Sequence, residues 1–269
     1  MQKISQLNSD RFIYNHIVYD NEAERHLAKH SHSLVEMIYV IKGEVSYTIE
    51  DKRFTANPGD LIVIKPYAYH YFSIVNQQDY EKIGILFHPA DIPIDNVTSN
   101  PFLLLSTKNE RIHDIFNKVD FYYHNCPNEV FQSLLLALAQ EIVVNIRLFQ
   151  SQDIITTHKQ SHPLIERIIR YINDNLFSVN TVSELARETS VSEGYLKALF
   201  TRQMKISPKK YITEKKMLMA RNMLLNGTPP TQVSLHCGFS NYTTFYRLYQ
   251  KNFQKKPTDD FKKSDNADD

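Results

Sequence analysis

Two histidines one residue apart, followed by a glutamate, open an apolar run: HSHSLVEMIYVIKG, from His30 to Gly43. Side chains alternate along a strand, so His30 and His32 point to one face. Imidazole and carboxylate hold divalent transition metals, and they equally exchange hydrogen bonds with the hydroxyls of an organic ligand. The residue types leave both chemistries open. Catalytic motifs of other kinds are missing: the chain has no P-loop, no dinucleotide fingerprint and no nucleophile beside a base in a recognisable motif.

The elements that must carry these residues change character along the chain. From about Phe12 to Phe87 the pattern is strand-like, with VEMIYVIKG, EVSYTIED, LIVIKP and YAYHYFSIV rich in β-branched and aromatic residues. Turns are expected at Lys42-Gly43, Asp51-Lys52 and Asn57–Asp60, which predicts a β-sandwich or small barrel. After Pro101 the period lengthens. NERIHDIFNKVDFYYHN and NEVFQSLLLALAQEIVVNIRLFQ read as helices, the second with Phe131, Leu134, Leu135, Leu138, Ile142, Ile146 and Phe149 at three- and four-residue steps. That stripe suits packing on the strands, and a partner chain as well. Residues 151–161, within the polar QSQDIITTHKQS, form the expected linker between a domain at 1–150 and an all-helical one at 162–269.

Composition bounds the class. The chain has 269 residues, 42% hydrophobic and 23% charged, as soluble globular proteins do. Its start, MQKISQLNSDRF, lacks the apolar core of a signal peptide, and Glu141 breaks the most apolar stretch, so no membrane partner is expected. Cys126 and Cys237 lie far apart, which argues against a disulfide scaffold and for a reducing, cytoplasmic setting. Net charge is +1, yet residues 1–155 carry 13 Lys+Arg against 19 Asp+Glu, and residues 156–258 carry 16 against 6. Polyanion binding is therefore expected of the second half alone.

That half contains a repeated unit. Val182, Leu185 and Ala186 form one face of a short helix with Thr181 or Ser183 as cap. A turn through Thr189-Ser190-Val191 follows, and Ser192 caps a helix expected to bury Tyr195, Leu196, Leu199 and Phe200. In VSLHCGFSNYTTFYRLYQKNF, Val233, Leu235 and Cys237 close a helix and Gly238 supplies a turn with positive φ. Ser240 is the expected cap of a helix burying Phe245, Leu248, Tyr249 and Phe253. Between the units, Ser207 to Asn226 makes a rod of roughly 30 Å at 1.5 Å per residue, close to the ~34 Å between major-groove entries on one DNA face.

The stretch from about Phe177 to Phe261 resembles the DNA-binding domain of the AraC/XylS family of transcription regulators. The likeness rests on Ser207-Pro208, Tyr211, Ala220, Leu224-Leu225, CGFSN, Phe245 and Pro257. It implies base-facing positions at Gly194, Lys197 and Ala198 in the first unit, and at Tyr242, Thr243, Tyr246 and Arg247 in the second. Arg247 suits bidentate readout of guanine, and Tyr242 or Thr243 suits thymine methyls. Lys205, Lys209, Lys210, Lys251, Lys255 and Lys256 are candidates for phosphate contact. Gly194 and Ala198 offer little side chain, so the first unit should discriminate bases less than the second. The family usually has glycine where this chain has Lys205 and Gln254; keeping an αL conformation there costs about 1 kcal/mol each.

His30-x-His32-x3-Glu36-x6-Gly43 resembles the first motif of a cupin barrel, and PGDLIVIKPYAYH, ending at His70, resembles the second. The resemblance implies a cupin-like β-barrel followed by helices, with His30, His32, Glu36 and His70 together at an effector site. Tyr39, Tyr47, Tyr69 and Phe72 are candidate stacking partners for a sugar, though each also suits a core. The cofactor is either none or a divalent transition metal such as Zn, Mn, Fe, Co or Ni. The expected protein is thus a two-domain α+β regulator, most simply an activator, binding promoter DNA, RNA polymerase, a small molecule such as a carbohydrate, and a second copy of itself through residues 110–150. The alternatives are a metal-dependent cupin enzyme or metal sensor fused to a DNA-binding domain, and a regulator controlled only by a protein partner.

Overall fold

The computed structural model describes residues 2–9, 11–20, 30–75, 78–92, 94, 101–105, 110–149 and 162–265. The expected linker lies outside them. The chain divides into two compact units, residues 1–160 and 161–269.

Among the described residues the first unit has nine strands: β1 (Gln2–Asn8), β2 (Phe12–Tyr19), β3 (Val35–Lys42), β4 (Val45–Ile49), β5 (Lys52–Ala56), β6 (Leu61–Ile64), β7 (His70–Ile74), β8 (Tyr80–Phe87) and β9 (Phe102–Leu105). Two helices follow, α1 (Glu110–Asn125) and α2 (Asn128–Phe149). The strands pair antiparallel into a six-stranded sheet, β1-β2-β8-β3-β6-β9, and a three-stranded one, β5-β4-β7. The expected barrel is thus two open sheets among the described residues, a cupin-like sandwich.

Period-two alternation sorts the large sheet's side chains into two cores. One face, with Tyr14, Val35, Met37, Leu61, Ile83 and Ile85, packs on α1 and α2 through Ile112, Phe116, Phe131, Leu135, Ile142 and Ile146. The other, with Ile17, Ile38, Val40, Ile62 and Tyr80, meets Val45, Tyr47, Ile49, Phe54 and Phe72 of the small sheet. β3 is covered on both sides, which is why it reads as a nearly unbroken apolar run. Gly43, at φ 84°, makes the β3–β4 turn; a Cβ there would meet the Asp79 carbonyl oxygen at 2.2 Å. By length and composition α2 does reach what a membrane span needs, contrary to the expectation from Glu141. Its apolar face is buried against the sheet, as in a core helix.

The second unit is helical: α3 (Pro163–Asp174), α4 (Val182–Glu188), α5 (Glu193–Met204), α6 (Pro208–Leu225), α7 (Pro230–His236), α8 (Tyr242–Phe253) and α9 (Pro257–Asp265). Side-chain caps fix the starts. Thr181, Ser192 and Ser207 accept from the amides of Glu184, Tyr195 and Lys210. At α8 the cap is Asn241, accepting from Thr244, rather than Ser240, one residue earlier. Lys205 and Gln254 both take φ 56° as helix C-caps, so the glycine-like geometry persists without glycine. Tyr195, expected inside, is 50% exposed, and Leu235, near the end of α7, is 73% exposed. Each lies off its helix's buried stripe, which Leu196, Leu199 and Phe200 fill in α5 and Val233 and Cys237 fill beside α7.

Candidate nucleic-acid interface and effector site

In each half of the second unit a short helix and a tight turn position a longer helix. Ser190, at φ 59°, turns the chain between α4 and α5; Gly238, at φ 73°, does so between α7 and α8. A Cβ on Gly238 would lie 2.0 Å from the Phe177 carbonyl oxygen, so the turn is pressed against backbone as well as left-handed. Leu196, Leu199 and Phe200 anchor α5; Phe245 and Tyr249 anchor α8. α6 joins the two halves through buried Tyr211, Ile212, Met217, Ala220 and Leu224. Its 18 residues give about 27 Å at 1.5 Å each.

The faces left over carry the base-facing candidates. Gly194, Lys197 and Ala198 are exposed on α5, as are Tyr242, Thr243 and Arg247 on α8, while Tyr246 is half-buried. Lys197 is ion-paired with Glu193, which also accepts from Ser183. Of the phosphate candidates, Lys205, Lys209, Lys210, Lys251 and Lys256 are exposed. Lys255 is half-buried, 3.7 Å from Asp260. Asp260 is itself buried and accepts from Tyr249 at 2.6 Å and Arg221 at 3.0 Å, which ties α9 to α8 and α6. Sequence reasoning passed over Lys215 and Lys216, both buried in α6. Lys216 donates to Asn180 Oδ1 at 3.0 Å, and Lys215 to Asn173 Oδ1 at 2.7 Å. The four-residue step Ile212, Lys216, Ala220 placed Lys216 on the apolar face and was the available signal.

In the first unit His30, His32, Glu36 and His70 come together, with ligand atoms all within 4.8 Å of one another. Strand pairing does this. Glu36 lies on β3, His70 begins β7, and His30 bridges to His70 through paired backbone hydrogen bonds of 3.1 and 2.9 Å. Glu36 Oε2 faces His32 Nε2 at 3.1 Å and His70 Nε2 at 3.2 Å, and Glu36 Oε1 faces Lys82 Nζ at 3.4 Å. Burial alone would raise the Glu36 pKa; the Lys82 ammonium and the two imidazoles outweigh it and hold the carboxyl well below its ordinary range.

The imidazole tautomers follow from their other nitrogens. His32 Nδ1 lies 3.0 Å from the Leu34 carbonyl and His70 Nδ1 lies 2.9 Å from that of Ala68. A carbonyl only accepts, so both Nδ1 atoms carry protons, and in the neutral ring both Nε2 lone pairs aim at one carboxylate oxygen. His70 Nε2, in a 3% exposed residue, is misaligned with that oxygen and makes no hydrogen bond. Two lone pairs converging on an anion need a positive charge between them, either a second proton on the ring, the state in which an imidazole donates to Glu36, or a metal ion. Backbone-held Nδ1 atoms with Nε2 turned inward are how metal-binding histidines are oriented, so these residues fit a divalent transition metal.

Lys82 and Asn15 were not anticipated. Lys82 shares the inward face of β8 with Tyr80 and Gly84, and the alternation in YEKIGILF was the signal. Gly84 leaves room beside it: a Cβ there would sit 2.6 Å from Asn15 Oδ1, a buried acceptor with no hydrogen bond. Of the aromatic candidates, Tyr39 is on the opposite face, stacked 4.5 Å from Phe116 and bonded to His113. Tyr47 is core, its hydroxyl 2.9 Å from that of Tyr80. Tyr69 and Phe72 are buried.

Comparison with known proteins matches both halves. Residues 15–118 match the family described as AraC-like ligand binding domain, and residues 185–263 match a helix-turn-helix domain family. The uncharacterized HTH-type transcriptional regulator YdiP of Escherichia coli is 25% identical over 256 residues, 91% of this chain and 80% of that one. The virulence regulon transcriptional activator VirF of Yersinia enterocolitica is 23% identical over 255 residues, 84% of this chain and 89% of that one. Among solved structures, ToxT from Vibrio cholerae covers 93% of this chain and 97% of its own at 12% identity, with a TM-score of 0.40. The chain belongs to the AraC family of transcriptional regulators, with a ligand-binding domain ahead of a DNA-binding helix-turn-helix domain.

Proposed function

We propose that α5 and α8 enter successive major grooves of promoter DNA, and that an effector held at the His30, His32, Glu36 and His70 cluster controls this binding. The observation that carries the reading is the pairing of two capped helices at either side of α6, each with one anchored face and one exposed face. Arg247 reads guanine from α8, and Lys197 is the main reader on α5, where Gly194 and Ala198 contribute little. The chain acts as a homodimer in the cytoplasm, working with RNA polymerase as an activator rather than as an enzyme. Exposed Val130, Val144 and Leu148 on α2 support the dimer. The test is selection of duplexes from a random pool by the full chain, then binding by Arg247→Ala. Loss of preference at a guanine, costing about 1–3 kcal/mol, is expected; no enrichment of any duplex would sink the reading.

A second reading makes the effector a divalent transition metal, favoured by the two Nε2 lone pairs converging on Glu36 Oε2. His30, His32, His70 and Glu36 would hold the ion, with Lys82 keeping the carboxylate ionised. Metal analysis of the full chain after incubation with zinc or cobalt separates the readings. About one ion per chain, lost on changing His32 and His70 to alanine, supports metal. No uptake leaves the cluster as the polar lining of an organic-ligand pocket.

A further inference from the structure

A cleft of about 810 Å³ lies wholly within the DNA-binding unit, between its two halves. Glu193 and Lys197 of α5 form one wall, Thr244 and Leu248 of α8 the other, and Ile212 and Lys216 of α6 the floor. Lys209 and Ser240 also line it, and both are exposed. The position constrains what passes over it. A duplex offering one major groove to α5 and the next to α8 must carry the intervening minor groove and its two backbone ridges across this cleft. Each ridge is a row of phosphates, and the two together carry one negative charge per ~1.7 Å of helix axis.

The cleft's chemistry suits such a ridge. Three lysines, 197, 209 and 216, line it against one carboxylate, Glu193, which is already engaged by Lys197 and Ser183. Lys216 is only 4% exposed, and its hydrogen-bond acceptors, Asn180 Oδ1 at 3.0 Å and the Phe177 carbonyl at 3.5 Å, are both neutral. Burial accordingly pushes its pKa down. Glu184 and the face of Phe239, 5.8 Å from Nζ, offset only part of that burial, and an anion arriving in the cleft relieves more of it. Ser240 is exposed at the cleft, and its hydroxyl can donate to a phosphate without reading sequence.

We infer that this cleft seats the DNA backbone between the two major-groove entries, with Lys209 and Lys216 supplying charge and Ser240 a hydroxyl donor. The inference rests on the reading that the chain binds duplex DNA. Its content is that α6, and not the reading helices alone, grips the duplex, at phosphates central to the site and independently of sequence.

The test uses the full chain, a duplex it selects from a random pool, and an unrelated duplex of equal length, with affinity measured across a series of KCl concentrations. Lys209→Ala and Lys216→Met should each weaken both duplexes by the same factor and lower the slope of log affinity against log salt by about one. Methylphosphonates at the central phosphates should weaken the wild-type chain and cost Lys209→Ala much less. An unchanged slope, a loss confined to the selected duplex, or central methylphosphonates without effect on wild type each overturns the inference. The methylphosphonate arm needs no altered protein, so it stands even if Lys216→Met fails to fold. Failure of wild type to bind either duplex would instead sink the DNA-binding reading.

Discussion

Two glycines of the DNA-binding unit have opposite consequences, although the sequence shows both simply as Gly. Gly238 combines φ 73° with a backbone oxygen 2.0 Å from where a Cβ would lie, so strain and collision add. Gly238→Ala is expected to lower the stability of this unit by about 3 kcal/mol or more, read as the urea midpoint of its unfolding. A midpoint equal to wild type would show that the turn relaxes freely. Gly194 sits near the start of α5 with nothing within 4 Å of a built Cβ. Gly194→Ala should therefore stabilise α5 by up to about 1 kcal/mol, because alanine loses less backbone entropy in a helix. A destabilised Gly194→Ala would mean that the open face is packed after all. Next to Gly238, the buried Cys237 has its thiol pushed up to about 11 by desolvation. At pH 8 roughly one molecule in a thousand then carries the thiolate, so thiol titration of the native chain should label Cys126 and spare Cys237. Rapid labelling of two thiols would contradict the packing.

At the scale of elements, most of the second unit was legible because its signals are local. Caps at Thr181, Ser192 and Ser207, three- and four-residue apolar steps, and one glycine turn each act within a few residues. Ser240 was misread as a cap because Ser and Asn stand side by side, and only backbone direction tells which side chain meets the Thr244 amide. The histidine cluster was half legible. Strand alternation paired His30 with His32, but Lys82 arrives from β8 by sheet register, which local pattern does not encode. α2 carries a second pattern beside its core stripe, sharing half-buried Leu134 with it: Val130, Leu134, Ala137, Glu141, Val144 and Leu148 step by four and three residues in turn. Val130, Val144 and Leu148 on that line are 48%, 53% and 62% exposed. This is the spacing of a coiled-coil seam, so Val144→Asp with Leu148→Asp should turn a dimer into a monomer in light scattering at micromolar concentration. The substitutions face outward, so the domain should stay folded; a dimer that survives them would move the interface elsewhere.

At the scale of the whole molecule, the two-part plan was visible in charge before any motif, since solvated charge is a sum over surface and needs no contacts to be read. The net charge of +1 and isoelectric point near 7.8 describe a chain that should ignore both polyanions and polycations at neutral pH. The partition says otherwise: 16 Lys+Arg against 6 Asp+Glu in residues 156–258, and 13 against 19 in residues 1–155. At physiological salt the Debye length is about 8 Å, shorter than the ~13 Å radius of gyration of a 100-residue domain. A charged surface therefore meets one half at a time, and the other half's opposite charge is screened from it. The full chain at pH 7.5 and physiological salt is accordingly expected to bind heparin through its helical half. Retention on heparin should fall steeply with salt, as for any contact that releases counterions. Adding competing duplex DNA should free the chain from heparin. Passage through heparin at physiological salt would mean that the lysines of the helical half are neutralised within its own surface, and the polyanion-binding face would then have to be far smaller than the count of lysines implies.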